Sequence, residues 1–395
     1  MKLILVLAVV FGLATAAVAA WESLENLPAA RLAGMLVSDG TYLYFIGGSD
    51  DSADWSSGQK DVYRYDPDLD TWDTRADIPI GVTGAAGGLV QNKIYVAGGD
   101  FTPIDAFADD MQIYDIVGNT WSAGENMPGS YYGSAAVVVG NDINIFGGFN
   151  PVNYNVDDWF IYDAVGDTWS SGDAMDTERW GGFAFTDGTN FYAAGGNDGA
   201  FSTQTQASKW VAPSDAGWTD GDMADLPTEK AMGGYARAYD TTAGDWVFYV
   251  IGGWSTGLTT EQTVNVYHVA TDTWTAGDVL PQKTAAVAAA CHDGYIYAAG
   301  GLDDAANELD WFGRLAVDDC DDIPDVDDDD DTADDDTGDD DADDDADDDA
   351  DDDATDDDMD DDASDDDDDD DAVDDDAADD DDDDDDDDDG GCCGC

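Results

Sequence analysis

Basic residues are what this chain lacks most. Lysine and arginine total 12 in 395 residues, against 95 aspartates and glutamates, for a formal net charge of −83. A surface with that balance repels polyanions, so nucleic acid and anionic membrane are disfavoured as partners. Histidine is scarcer still: only His268 and His292 are present. The five cysteines, Cys291, Cys320, Cys392, Cys393 and Cys395, do not fall at zinc-ligand spacings. No glycine-rich phosphate loop and no serine-nucleophile elbow is found. Beyond residue 20 no run is long and apolar enough for a helix to span a bilayer.

The two ends of the chain differ from its middle. Residues 1–20 read as a secretory signal: Lys2, then the apolar stretch Leu3 to Leu13, then small residues at Ala17-Val18-Ala19-Ala20. A membrane anchor is the weaker alternative, because the apolar core is short. The expectation is a secreted protein, or one at the bacterial cell surface or in the periplasm. There, Cys291 and Cys320 would meet an oxidising environment, and a disulfide between them would staple the last unit of the chain. Residues 318–389 hold 52 aspartates and no Lys or Arg, leaving 43 acids against 12 bases elsewhere. Like-charge repulsion without aromatic residues predicts a disordered, extended segment. A solvated spacer is the plain reading; diffuse Ca²⁺ binding is the sharper one, since the segment lacks the set glycines of ordered calcium loops. No specific metal site and no cofactor is expected. Gly390-Gly391-Cys392-Cys393-Gly394-Cys395 closes the chain and suggests attachment to the cell envelope through its cysteines.

Between these ends lies a repeat. Gly doublets follow strand-like runs at Gly47-Gly48, Gly98-Gly99, Gly147-Gly148, Gly195-Gly196, Gly252-Gly253 and Gly300-Gly301. Trp21, Trp72, Trp121, Trp169 and Trp274 each stand 26 residues before a doublet. Trp218 stands 34 before its own, so the fifth unit carries an insertion of eight. Short β-rich runs with turn residues at regular spacing predict four strands per unit. In the second unit these are 83–91, 94–97, 111–115 and a strand opened by Trp121. One such sheet cannot bury enough apolar surface alone, whereas six packed radially can. The Tyr and Trp of each unit, seven apart at Tyr65/Trp72, Tyr114/Trp121, Tyr162/Trp169 and Tyr267/Trp274, suit packing between sheets. The fourth unit departs, with Trp210 and Trp218 eight apart.

A Gly doublet, a Tyr-Asp and a Trp after a short turn resemble the kelch repeat. The resemblance covers about 21–316 and implies a six-bladed β-propeller. The domain reading is therefore a signal at 1–20, a propeller at 21–317, an aspartate-rich tail at 318–389 and a terminal cluster at 390–395. The sixth unit runs through Leu309-Asp310-Trp311-Phe312 and has no final W-x-x-G strand. Trp21 to Pro28 aligns with the start of that missing strand, so the N-terminal strand is expected to close the ring.

Strand alternation places the loops after the Gly doublets and the loops into each first strand on one face. These are the longer loops, so this is the default binding surface. Kelch propellers generally use that face, as the resemblance implies. It draws Asp50, Asp51, Asp100, Asp198, Asp303 and Asp304 with Phe101, Phe149 and Trp254 from one loop set. The other set supplies Arg31, Tyr131, Tyr132, Glu178, Arg179, Trp180, Glu229 and Lys230. Aromatic rings beside carboxylates and a few cations suit a carbohydrate or a protein ligand; solvation of loops is the plain alternative. A galactose-oxidase-like copper centre would need His and Tyr ligands that two distant histidines do not supply. A sialate-mutarotase-like activity would need acid/base groups and a cation, nominally Glu178 with Arg179 or Glu229 with Lys230. Neighbours on a strand point oppositely, which weakens those pairs. The sequence thus favours a binding module over a sugar-modifying enzyme, with a cation-binding surface protein acting through its tail as a third reading.

Overall fold

The computed structural model describes residues 20–320, apart from 55–56, 102–105, 151, 153, 199–201 and 213–216. The aspartate-rich tail beyond residue 320, the terminal cysteines and residues 1–19 of the expected signal lie outside the described residues. Six antiparallel four-stranded sheets account for nearly all regular structure, and the one helical piece among the described residues is a single 3₁₀ turn at Val269–Thr271. Blade three shows the plan. Inner strand Ala135–Val139 pairs with Asp142–Phe146, which pairs with Trp159–Asp163, which pairs with the outer strand Thr168–Ser171. The inner strands touch in cyclic order, including the sixth (Ala288–His292) against the first (Met35–Ser38).

Closure is made by the N-terminus, as the sequence predicts. Glu22–Ser23 is the outer strand of blade six, with Glu22 opposite Arg314 and Ser23 opposite Gly313. The chain then continues along the same edge. Leu24 donates its N–H to Phe312 O (3.0 Å), Leu27 to Asp310 O (2.8 Å) and Arg31 to Leu309 O (3.0 Å). Arg314 Nε pairs with Glu22 at 2.8 Å across the junction. Cys291 and Cys320 are disulfide-bonded in the same blade.

Three cyclic sets of hydrogen bonds tie blade to blade. The outermost uses the repeated tryptophans. Each indole N–H donates to a carbonyl of the preceding blade: Trp72 to Glu25, Trp121 to Ala76, Trp169 to Glu125, Trp218 to Asp173, Trp274 to Ala224 and Trp21 to Asp278, at 2.7–3.0 Å. The expected Tyr/Trp pairs are direct cross-strand partners, as are Trp210 and Trp218. Their phenols are held too. Tyr65, Tyr114, Tyr162 and Tyr267 donate to Asp70, Asn119, Asp167 and Asp272, five residues on, at 2.6–2.8 Å. Each of those acceptors also takes an N–H from the preceding blade: Glu25, Ala76, Glu125 and Ala224. A buried phenol left without a partner would cost about 1–3 kcal/mol, so the acceptor is not optional.

The middle set starts at the Gly doublets. The second glycine of each donates to a carbonyl in the next blade: Gly48 to Val82, Gly99 to Tyr131, Gly148 to Arg179, Gly196 to Lys230, Gly253 to Thr284 and Gly301 to Arg31. A Cβ on Gly147 would sit 2.3 Å from Arg179 O, and one on Gly300 2.4 Å from Arg31 O; both residues have positive φ. Glycine is therefore required by conformation and by the closeness of the neighbouring backbone.

The innermost set encircles the axis. Gly84 donates to Ala33 O, Gly133 to Gly84 O, Gly181 to Gly133 O, Met232 to Gly181 O, Ala286 to Met232 O and Ala33 to Ala286 O, at 2.5–2.8 Å. All six residues have φ of 50–64°, including the non-glycines Ala33, Met232 and Ala286. This ring corrects one expected boundary. The inner strand of blade two begins at Ala86, not 83, because Gly84 is committed to the ring.

Three further boundaries differ from expectation. The insertion in blade five is split. Two residues fall between Trp218 and Pro227, which is why Trp274 reaches Ala224, six beyond its tryptophan rather than four. Six lengthen the first hairpin, Gly234–Asp240 with Asp245–Ile251. The third strand of blade six is Phe312–Ala316, later than the sequence suggested but at the same distance from its Gly doublet as in blades three to five, and Trp311 just before it packs its indole against Trp21 (5.9 Å between centroids). The propeller also continues past residue 317. Asp319 bridges to Tyr239 at the long hairpin of blade five, Asp318 accepts from Thr241, and Cys320 follows.

Candidate functional site

The loops after the Gly doublets emerge on the face opposite the tight turns. In three blades they begin as short two-stranded ribbons: Asp100–Phe101 with Ala106–Phe107, Phe149–Asn150 with Tyr154–Asn155, and Trp254–Ser255 with Thr259–Thr260. Each ribbon opens with an aromatic residue at its first or second position. The side chains of Asp100 and Phe101 lie outside the described atoms.

Five of the predicted ligand residues, Arg31, Tyr131, Tyr132, Arg179 and Lys230, are not at the surface. Arg31, Tyr131, Arg179 and Lys230 occupy the same place in blades one, three, four and five. Each is buried, with Lys230 at 0% exposure. Each reaches inward to the junction between the doublet and the third strand of its own blade. Arg31 pairs with Asp61 at 2.5 Å. Tyr131 donates to Asp158 at 2.9 Å. Arg179 Nη1 donates to Gly195 O (3.0 Å) and Gln206 O (3.2 Å). Lys230 Nζ donates to Gly252 O (2.8 Å), Thr263 O (3.0 Å) and Thr263 Oγ1 (2.8 Å). Burial pushes the Lys230 ammonium down to about 8, only partly countered by Glu261. Blades two and six put Val82 and Thr284 at the same place, both buried. Four polar side chains thus perform the packing role of a valine. The sequence placed these residues on the correct loops but could not give their direction.

Several predicted carboxylates serve the loops themselves. Asp50 accepts from Gln59 Nε2 (2.8 Å) and Ser57 Oγ (3.2 Å). Asp198 accepts the N–H of Ser202 (2.9 Å). Asp303 accepts the N–H groups of Ala305 and Asn307 and the Asn307 amide, which holds its carboxyl below the ordinary range. Asp304 accepts from Thr260 and pairs with Lys283 at 3.0 Å. Glu229 accepts from Thr203 (3.1 Å) and from Thr256. Glu178 is exposed.

What the fold does bring together is an apolar arc around the channel mouth. Leu32, Ala231, Met232, Ala286 and Leu302 form one cluster, against which half-buried Trp180 and Trp254 pack. The arc continues through Tyr132, which lies 6.2 Å from Trp180, and Phe149, also 6.2 Å from Trp180, to Tyr154, 61% exposed. Met232, Tyr154, Leu32 and Leu302 are absent from the sequence-derived set. Met232 carried a signal: it is the one bulky side chain among the small residues that form the inner ring.

The channel itself is narrow. A cavity of 130 Å³ opens below the ring on the long-loop side, and one of 330 Å³ on the tight-turn side. Tyr235 lines both, and its hydroxyl crosses to the backbone of Ala136 in blade three, accepting its N–H (2.8 Å) and donating to its carbonyl (3.2 Å). His292 meets Ser38 (2.8 Å) on the tight-turn face, and His268 meets Thr275 (2.9 Å) on an outer strand. Neither faces the arc. No group of three or more potential metal-ligating side chains occurs among the described residues.

Comparison with known proteins agrees with this architecture. The kelch motif model matches residues 36–78, 82–128 and 130–175. Kelch-like protein 36 of Mus musculus is 31% identical over 121 residues, which is 30% of this chain and 20% of that protein. Kelch-like protein terF of Aspergillus terreus is 33% identical over 139 residues, 32% of this chain and 28% of that protein. The chain thus spans a fifth to somewhat over a quarter of these relatives. A solved structure titled "Structure of YjhT" superposes with a TM-score of 0.63 at 14% identity, covering 74% of this chain and 97% of that one, a likeness of fold alone. Kelch propellers are in general protein-binding modules. With kelch motifs matched in three blades and the same four-stranded plan in all six, this chain is a six-bladed β-propeller that carries kelch motifs.

Proposed function

We propose that this propeller is an exported binding module that holds a protein ligand on its long-loop face. The observation that carries the reading is the arc of Trp180, Met232, Trp254 and Tyr154 around the channel mouth, on the face that carries the ribbons. Aromatic residues in such a setting give large contact area at small entropic cost. The Cys291–Cys320 bond and the apolar N-terminal stretch support export to an oxidising compartment, in the envelope or beyond it.

The burial of Arg179 and Lys230 weighs against the sugar-modifying alternative. The cations that would receive a sugar acid are committed to main-chain carbonyls. The test is a photo-crosslinking residue placed at Tyr154 on one face and at Val117, 86% exposed, on the other. Exposed to the exported proteins of its source, the Tyr154 form should yield discrete protein adducts and the Val117 form none. Adducts from Val117 alone would move the binding surface to the tight turns. Adducts from neither, with a glycan retained by the wild-type chain, would replace the protein ligand by a carbohydrate.

A further inference from the structure

The chain leaves blade six by a route no other blade uses. In blades one to five the third strand turns outward into a fourth strand of the same blade. In blade six that outer position is filled by Glu22–Ser23. After Ala316 the chain turns inward instead, along the tight-turn face. Val317 donates its N–H to Gly294 O (2.9 Å), at the first hairpin turn of the blade. Asp319 O accepts from Tyr239 N–H (2.9 Å), and the Asp318 carboxylate accepts from Thr241 N–H (3.1 Å) and Oγ1 (3.0 Å), all on the long hairpin of blade five. Cys320 ends this strap in its disulfide with Cys291, on the innermost strand Ala288–His292. Both cysteines line the 330 Å³ cavity at the tight-turn mouth of the channel. The strap therefore ends beside the propeller axis, on the face opposite the ligand arc.

The position of the bond decides what a pull on the chain beyond Cys320 would strain. Without the bond, tension would pass through the hydrogen bonds of the strap into Phe312–Ala316. On its outer side that strand is paired with the two-residue strand Glu22–Ser23, the seam that closes the ring. With the bond, tension passes from Cys320 straight into Cys291. The strand of Cys291 is paired along its whole length with Tyr295–Ala299 and lies against the inner strands of blades one and five, Met35–Ser38 and Gly234–Asp240. The two cysteines are 29 residues apart, and the loop between them holds the strap and Phe312–Ala316. While the covalent bond lasts, that loop takes no extension. A bridge of this span also stabilises the fold by restricting the unfolded chain. That general effect is indifferent to where the chain leaves the fold, whereas the strap carries the exit to the axis.

We propose that the strap Val317–Cys320 and its disulfide are a tension anchor: a pull on the aspartate-rich segment enters the propeller at its innermost strand and bypasses the closing seam. The inference rests on the long-loop face holding a ligand and on attachment through the sequence beyond residue 320, for which Cys392, Cys393 and Cys395 are the candidates. A ligand held at one mouth of the ring and a tether leaving from the other direct the pull along the axis, where the inner strands pack against one another.

Single-molecule force spectroscopy on the full chain tests this. One handle is a non-natural residue in place of Tyr154, on the long-loop face. The other either follows Cys395 or replaces Val117, on the tight-turn face of blade two. Wild type is compared with the double variant Cys291→Ser, Cys320→Ser. Pulled through the tail, the double variant should open first at a force at least about twofold lower than wild type. An early extension of about 30 Å should accompany it, as Phe312 to Cys320 comes away at ~3.3–3.6 Å per residue. Pulled from Val117, the two chains should open at the same force. A comparable fall from both positions would make the bond a general staple, and no fall through the tail would mean that it carries no tension; either result overturns the proposal. If the double variant does not fold, folded wild type pulled with and without dithiothreitol gives the same comparison. Photo-crosslinking at Tyr154 tests the ligand face separately, so either reading can fail without the other.

Discussion

The two faces of this propeller are built on different rules. On the tight-turn face the blades repeat their chemistry. In all six an indole N–H reaches back to a carbonyl of the blade before, and in four a phenol meets an Asp or Asn five residues on that also takes an N–H across the same gap. On the long-loop face the blades share only backbone. The position held by Lys230 is arginine, valine, tyrosine, arginine and threonine in blades one, two, three, four and six. The loops that follow form ribbons in three blades and are closed by single bridges in the others, Ser49 with Gly58, Asn197 with Thr203 and Leu302 with Glu308. Repetition therefore marks what must be the same six times, the docking of blade on blade. Variation marks where the chain is free to become specific.

The contrast can be broken hardest at the seam, where both chain ends meet. A chain beginning at Arg31 would lose the outer strand of blade six and expose the edge of Phe312–Ala316. We expect it to lose its cooperative unfolding transition altogether. Cys291→Ser with Cys320→Ser should leave the ring closed but less stable by about 3–4 kcal/mol, the loop-entropy value for a bridge of this span. Urea unfolding followed by tryptophan fluorescence distinguishes the two. A truncated chain that unfolds at the wild-type midpoint would remove the closing role of the N-terminus.

A smaller effect sharpens the account of the turns. Asp167 accepts from Tyr162 Oη and Glu125 N–H, and both bonds hold its carboxyl below the ordinary range. A carboxyl with a depressed folded pKa contributes stability above its unfolded pKa of about 4, and that contribution fades as pH falls below this value. Asn119 does the same work in blade two as a neutral amide. Asp167→Asn should accordingly change stability at pH 7 by less than about 0.5 kcal/mol and shallow the loss below pH 4. Asp167→Ala should cost about 1–2 kcal/mol at pH 7. Unfolding midpoints across a pH series would show it; equal effects of Asn and Ala would contradict the hydrogen-bond account.

The sequence made the scaffold legible and left the site largely hidden, for physical reasons. A doublet that must hold positive φ beneath a neighbouring carbonyl accepts only glycine, so Gly147 and Gly300 advertise themselves. An indole that must reach the blade before it has no substitute of the same shape and donor. The N-terminal closure followed from matching Trp21 to Trp121. The direction of a side chain carries no such signature. Arg179 and Lys230 look like surface cations in a loop, and only the packed blade reveals carbonyls waiting for them. The inner ring escaped notice because Ala33, Gly84, Gly133, Gly181, Met232 and Ala286 share a conformation rather than a residue type. The apolar arc escaped for a related reason: Leu32, Met232 and Leu302 are brought together only by closure of the ring.

The division between scaffold and site is tested most directly by unfolding two tryptophan variants side by side. Trp218 is 7% exposed, donates to Asp173 O and packs against Phe146 and Trp159. Trp254 is half-buried on the ligand face. The account predicts that Trp218→Ala costs about 3–5 kcal/mol of unfolding free energy and Trp254→Ala less than half as much. Equal costs would mean that Trp254 is part of the frame, and would contradict the assignment of the long-loop face to binding.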